Sequence, residues 1–133
     1  MELVIVDTNA LLRFLLNDIP SQKKACEQLL KKAKNNEIEL HVIQAVIFEI
    51  DFILRKYYLY EKGVVIQQLK SLVSTRYIDI ESRDIFSKAL SIYEKRNISF
   101  VDSFLLSKAE IEKTEIFTFD KKLKKIVSNF INA

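Results

Sequence analysis

Four acidic residues of this 133-residue chain stand where a carboxylate can do more than keep a surface wet. Three share a local pattern. Asp7 in "VDTNALL", Asp102 in "VDSFLLSKA" and Asp120 in "FDKKLKK" each follow an apolar residue and precede a helical pattern. The fourth, Glu49, lies inside "HVIQAVIFEIDFILRKYYL". At ~100° per residue, Val46, Ile47, Ile50, Ile53, Leu54 and Tyr57 form one apolar face there, with Glu49 at its margin. Two readings are open. In the first, each aspartate is a helix cap accepting bonds from free N–H groups, and Glu49 is a solvated rim residue or a partner for Arg55 or Lys56. In the second, the acids gather. Asp7 and Asp120 end the runs "LVIV" and "IFTF", which read as interior parallel strands. The carboxyl ends of such strands share the edge where open α/β sheets place ligands. Thr8 and Ser103 would then do the capping and leave the carboxylates free.

Gathering has a cost that dictates its chemistry. Two carboxylates ~4 Å apart at an effective dielectric near 20 repel by about 4 kcal/mol, so several in one pocket take up protons or bind a cation. An all-oxygen donor set suits Mg²⁺ or Mn²⁺ rather than zinc. His41 is the one histidine and Cys26 the one cysteine, so zinc sites and Ser–His or Cys–His catalysis lack parts. His41 reads as a strand residue with no special role.

The elements that must position these acids alternate along the chain. Strands are expected near 2–6, 38–42, 76–80 and 115–119. Helices are expected near 9–17, 21–35, 43–60, 62–74, 83–96 and 102–113, with a short basic one from about 121 and an ambiguous "VSNFINA" end that could add an edge strand. Strands separated by helical segments imply crossovers. The expected fold is α/β, a mainly parallel four- to five-stranded sheet between helical layers, a Rossmann-like three-layer sandwich in one domain over residues 1–133. Pro20 fits the first turn of the second helix. With one glycine, Gly63, the chain has no GxGxxG or Walker-type phosphate loop.

Composition narrows the setting. Nearly half the residues are apolar and 29% are charged, ordinary for a folded soluble chain. The net charge is +3, and Lys121, Lys122, Lys124 and Lys125 form a basic block, either a solvated face or a phosphate-contacting patch. The lone cysteine agrees with a reducing cytosol. "MELVIVD" meets an acid too early for a signal peptide, and Gln44, Glu49 and Asp51 interrupt the longest apolar stretch, against a membrane span.

"VDTNALLRFLL", Glu49 in "AVIFEIDFILRK", "SFVDSFLLSKA" and "IFTFDKKLKK" together resemble, in order and spacing, the acidic motifs of PIN-domain ribonucleases, most of all the short VapC-like toxins of toxin–antitoxin pairs. The likeness covers essentially the whole chain. It implies metal binding by Asp7, Glu49, Asp102 and Asp120, with Thr8 and Thr118 as hydroxyls orienting a carboxylate or a water. The implied activity is Mg²⁺- or Mn²⁺-dependent hydrolysis of RNA, leaving 5′-phosphate and 3′-hydroxyl ends. Lys121, Lys122, Lys124 and Lys125 would hold the RNA backbone. The segment "EIEKTEIF" departs from the family in lacking an expected glycine.

Two rivals stand beside this reading. One is a non-catalytic α/β interaction domain whose acids are caps. The other is a phosphoacceptor domain with Asp7 modified, disfavoured because Asp120 stands where such domains need a lysine. Partner surfaces are also expected. Ala45, Phe48, Phe52 and Leu59 fall on a second apolar stripe of the Glu49 helix, and Ala10, Leu11, Leu12, Phe14, Leu15 and Leu16 leave only Arg13 plainly polar in the first helix. A surface helix needs one apolar face. The resemblance assigns the excess, including Phe14, Phe48 and Phe52, to a homodimer and to a groove for a cognate antitoxin.

Overall fold

The structure, a computed structural model, describes residues 1–16 and 18–130, with residues 128–130 by their backbone. The chain divides into two compact units, Met1–Ser82 and Arg83–Ala133.

In the first unit, β1 (Glu2–Ile5), β2 (Ile38–Val42) and β3 (Ile78–Ile80) pair in parallel in the order β1-β2-β3. Two helices fill each crossover: α1 (Thr8–Leu15) and α2 (Pro20–Lys34), then α3 (Gln44–Lys56) and α4 (Lys62–Val73). Strand order advances in one direction, so connections of the usual right-handed sense put all four helices on one sheet face. The residues agree. Val6, Ile38, Leu40, Val42, Ile78 and Ile80 are buried, as are Leu11 and Leu12 of α1 and Ile47, Ile50 and Leu54 of α3. The register sets Ile5 beside His41 and His41 beside Asp79, so the opposite face carries Leu3, Ile5, Glu39, His41 and Asp79. Pro20 opens α2 as expected. Asn36 closes it at φ 61°, with its own N–H on the Ala33 carbonyl and the Glu37 N–H on that of Lys32, a left-handed cap that asparagine tolerates.

The helix expected over 43–60 stops at Lys56. The Tyr60 N–H turns back to the Leu54 carbonyl, and Leu59 sits at φ 56°. Tyr57, expected on the inner face, is therefore 66% exposed. An apolar spacing that ran on past the helix end produced the longer expectation.

The second unit comprises α5 (Arg83–Lys95), α6 (Phe100–Glu112) and α7 (Lys121–Phe130). Its core is aromatic: Phe86 packs on Phe104 and Phe100 at centroid distances of 4.9 and 5.9 Å, and Tyr93 stacks on Phe100 at 5.1 Å. Leu123 and Val127 join Ile92 and Leu106 in a buried cluster. Ser107, fully buried, donates its hydroxyl to the Ile85 carbonyl at 2.7 Å.

The sheet has three strands among the described residues, not four or five. Residues 115–119 alternate, Ile116 and Thr118 half-buried and Phe117 and Phe119 88% and 89% exposed, yet carry no strand ladder. Period-two patterning is local, whereas a strand needs a partner ladder, which local residues do not specify. The ambiguous end is helical through Phe130, and positions 131–133 lie outside the described residues. Its apolar positions Leu123, Ile126 and Val127 recur at helical spacing.

The missing glycine of "EIEKTEIF" has a backbone consequence. Lys113 ends α6 in the left-handed region at φ 56°, and the Thr114 N–H reaches back to the Ala109 carbonyl at 2.9 Å. Gly63 is the converse: it lies in α4, has no positive φ, and nothing stands within 4 Å of where a Cβ would sit. Lys113→Gly and Gly63→Ala, a glycine installed and a glycine removed, should each raise stability by about 0.5–1 kcal/mol in urea titrations. Loss of stability in either would contradict the backbone assignment at that position.

Candidate active site

β1 delivers Asp7 to a strand-to-helix junction. The Val6 N–H completes the ladder on the His41 carbonyl at 3.0 Å, and the next residue turns out of the sheet. Asp7 is the N-cap of α1, its Oδ1 accepting the Ala10 N–H at 2.9 Å. Thr8, 8% exposed, is the first helical residue and is not the cap. One oxygen of Asp7 is thus engaged; the other has no hydrogen-bond partner among the described residues. The junction is braced from both sides. The Cys26 thiol donates to the Ala10 carbonyl at 3.1 Å, and burial pushes its pKa up, keeping it a neutral donor. Arg13 binds Asp18 at 2.8 Å and the Tyr58 hydroxyl at 3.2 Å, tying α1 to the residues just past α3. The Tyr58 bond, then Asp18, raises the guanidinium pKa against the opposing effect of desolvation.

Glu49 is exposed on α3, flanked by buried Ile47 and Ile50, which is the margin position its spacing implies. Asp7, Thr8 and Glu49 belong to the first unit; Asp102, Thr118 and Asp120 belong to the second.

Asp102 is half-buried in the first turn of α6 and does not cap it. Ser99 does, its hydroxyl accepting the Asp102 N–H at 3.0 Å. Ser103 was the expected cap; it is fully buried and donates to the Ser99 carbonyl at 2.9 Å. The cap lies earlier because α6 begins at Phe100 and not near 102. The Asp102 carboxylate is left outside the capping bonds, on the positive end of the helix dipole.

Asp120 starts α7. Its Oδ1 accepts the Leu123 N–H at 2.7 Å and its carbonyl the Lys124 N–H at 2.9 Å. Thr118 is half-buried, and its Oγ1 accepts the Asp120 N–H at 3.0 Å, fixing the backbone that presents the carboxylate. Lys121, Lys122, Lys124 and Lys125 are exposed, and Lys122 Nζ donates to the Asn97 carbonyl. Among the expected partner residues, Phe52 is 52% exposed while Phe14 and Phe48 are half-buried. Phe14 lines a cavity of about 190 Å³ with Leu11, Leu15, Leu30, Leu72 and Tyr77.

His41 is more than the inert strand residue expected. Its Nδ1 lies 2.7 Å from Asp79 Oδ2 and its Nε2 3.5 Å from Glu39 Oε1, and one donor atom from each residue falls within 4.8 Å of the others. The alternation of β2 puts Glu39 and His41 on one face, but the third member depends on pairing with β3, which sequence spacing does not reveal. Asp79 pairs closely with Nδ1, whereas Nε2, buried and facing Glu39, makes no hydrogen bond among the described residues.

Residues 4–128 match the PIN domain family. A VapC ribonuclease of Aquifex aeolicus (strain VF5) is 23% identical over 129 residues, covering 96% of this chain and 95% of that protein. The family match runs through both units, from the strand that precedes Asp7 to the basic helix that follows Asp120, and the chain belongs to the PIN domain family.

Proposed function

We propose that this chain is a divalent-metal-dependent endoribonuclease and the toxin of a toxin–antitoxin pair, with Asp7, Glu49, Asp102 and Asp120 serving one site within a single domain over residues 1–133. The observation that carries the reading is the way Asp7 and Asp120 are held. Each commits one carboxylate oxygen to a helix N–H and keeps the other uncommitted. The donor set is entirely oxygen, which fits Mg²⁺ or Mn²⁺. When bound, such an ion lowers the pKa of a water and offsets charge on a phosphoryl group. The chain's own residues position. The capping bonds fix the two aspartates before any ligand arrives, Thr118 fixes the backbone at Asp120, and buried Thr8 anchors the first turn of α1. No side-chain nucleophile is needed. Lys121, Lys122, Lys124 and Lys125 crowd the positive end of α7, where the helix dipole disfavours cations. RNA phosphates would relieve that conflict, and phosphate contacts position a strand without reading its sequence.

The competing reading, a non-catalytic interaction domain, draws on the same bonds, because Asp7 and Asp120 are indeed caps. Asparagine caps as well as aspartate but carries no charge, whereas alanine does neither. Asp7→Asn and Asp120→Asn should keep wild-type thermal stability and lose cleavage of single-stranded RNA in Mn²⁺ by at least about a hundredfold. Asp7→Ala should lose activity and about 1 kcal/mol of stability as well. Asparagine variants cutting as fast as wild type would return both residues to capping alone.

Partner binding is read from the end of α3. Phe52 and Tyr57 meet edge to face at 6.1 Å with Lys56 Nζ 5.1 and 5.8 Å from their centroids, and Leu59 beside them is 80% exposed. Exposed apolar surface of this kind marks an interface, here for a second copy and for an amphipathic antitoxin segment. Phe52→Glu or Phe48→Glu should weaken dimerisation or antitoxin binding, measured by sedimentation and titration, without changing Mn²⁺ binding. A monomeric wild type with both variants still antitoxin-competent would contradict the assignment.

A further inference from the structure

The formal charge is unevenly shared between the two units. Residues 1–82 hold eleven Lys and Arg against eleven Asp and Glu, whereas residues 83–133 hold ten against seven, so the whole excess of +3 lies in the second unit. The basic run after Asp120 accounts for part of it. Another part sits on α5 and the residue that follows it, where Lys88, Ser91, Ile92, Lys95 and Arg96 fall at i, i+3, i+4, i+7 and i+8, and the Arg96 N–H still bonds the Ile92 carbonyl at 2.9 Å, so all five share one face. That face and Glu110 of α6 line a surface cleft of about 500 Å³.

The dipole of α5 accounts for Lys95 and Arg96, since cations are favoured at a helix C-terminus. It does not account for Lys88, two turns earlier, nor for the convergence of all three cations on one cleft. Lys88 is held by Glu110 at 2.6 Å, a pair that orients the ammonium and leaves it further N–H donors. Lys95 is exposed and has no ion pair among the described residues. Seven residues separate Lys88 from Lys95, about 10 Å along the helix axis. That span exceeds one phosphate group and matches several successive charges of a nucleic-acid strand. The cleft also adjoins the basic start of α7: Lys122 Nζ donates to the carbonyl of Asn97, two residues beyond α5, and Leu123 packs in one cluster with Ile92 of the cleft floor.

We infer that the Lys88, Ser91, Lys95 and Arg96 face of α5 is a second contact surface for the sugar–phosphate backbone of RNA, continuous with the lysines of α7. The identity of the polymer rests on the ribonuclease reading; the polyanion chemistry does not. Guanidinium and ammonium groups contact phosphate oxygens, the Ser91 hydroxyl adds a neutral donor, and Glu110 lowers the positive field on one side of the cleft.

Substitutions of opposite sign test this on the full chain. Anisotropy of a short fluorescent single-stranded RNA of mixed sequence, in EDTA, reads affinity without cleavage. Lys95→Gln with Arg96→Gln should raise Kd by about tenfold and flatten the slope of log Kd against log salt by roughly 1 to 1.4, two contacts at ~0.7 each for a single strand. Glu110→Gln should move Kd the other way, and Lys95→Arg should keep wild-type binding. Thermal midpoints near wild type certify the fold of these surface variants. Unchanged Kd and slope in the double variant, or loss of affinity in Glu110→Gln, would overturn the inference. A wild type that cuts RNA in Mn²⁺ while the double variant binds normally sinks this surface alone. A wild type that binds RNA with the expected salt slope but cuts none sinks the nuclease reading and leaves the surface standing.

Discussion

The bond from the Ala10 amide to Asp7 Oδ1 does two jobs at once. It satisfies a helix N–H that α1 leaves free, and it clamps a carboxylate at the end of a parallel strand. Asp120 repeats the device at the start of α7 through the Leu123 amide. Capping and ligation are often treated as alternatives for an aspartate. Here the cap uses one oxygen and leaves the second uncommitted, so the two roles need not exclude each other. Cys26 acts on the first junction, Arg13 on the helix that follows it, and Thr118 on the second.

Local rules were legible wherever the structure is itself local. The starts and ends of α2, α4 and α5 fall within a residue or two of expectation, and the buried stripe Val46, Ile47, Ile50 and Leu54 follows from helical spacing alone. The errors share a cause. The 115–119 run has strand residues in strand order, but ladder pairing is decided elsewhere in the chain. The over-long α3 arose because Tyr57 and Leu59 keep the apolar rhythm after the backbone has turned. Asp79 joins His41 only through the β2–β3 register. At the site, residue types and spacing single out Asp7, Glu49, Asp102 and Asp120 as candidates, while Ser99 caps α6 because that helix starts two residues before its expected position.

Charge organises the surface as hydrophobicity organises the core. The first unit is formally neutral and the second carries the whole excess. Lysines stand at the wrong end of α7 for its dipole and at the right end of α5. A protein that handles a polyanion can tolerate the first arrangement, because phosphates supply the missing negative charge. Lysine and arginine at the end of α5 suit the helix dipole, and in the proposed reading they would meet the polyanion as well.

The central proposal is that Asp7, Glu49, Asp102 and Asp120 bind a divalent cation. Paramagnetic broadening of amide resonances by substoichiometric Mn²⁺ tests it without requiring activity. The account predicts that amides around positions 7, 49, 102 and 120 broaden together at the lowest Mn²⁺ concentrations, and that Asp7→Asn abolishes the effect at all four. Broadening confined to Glu39, His41 and Asp79, or spread evenly over exposed acids, would contradict it.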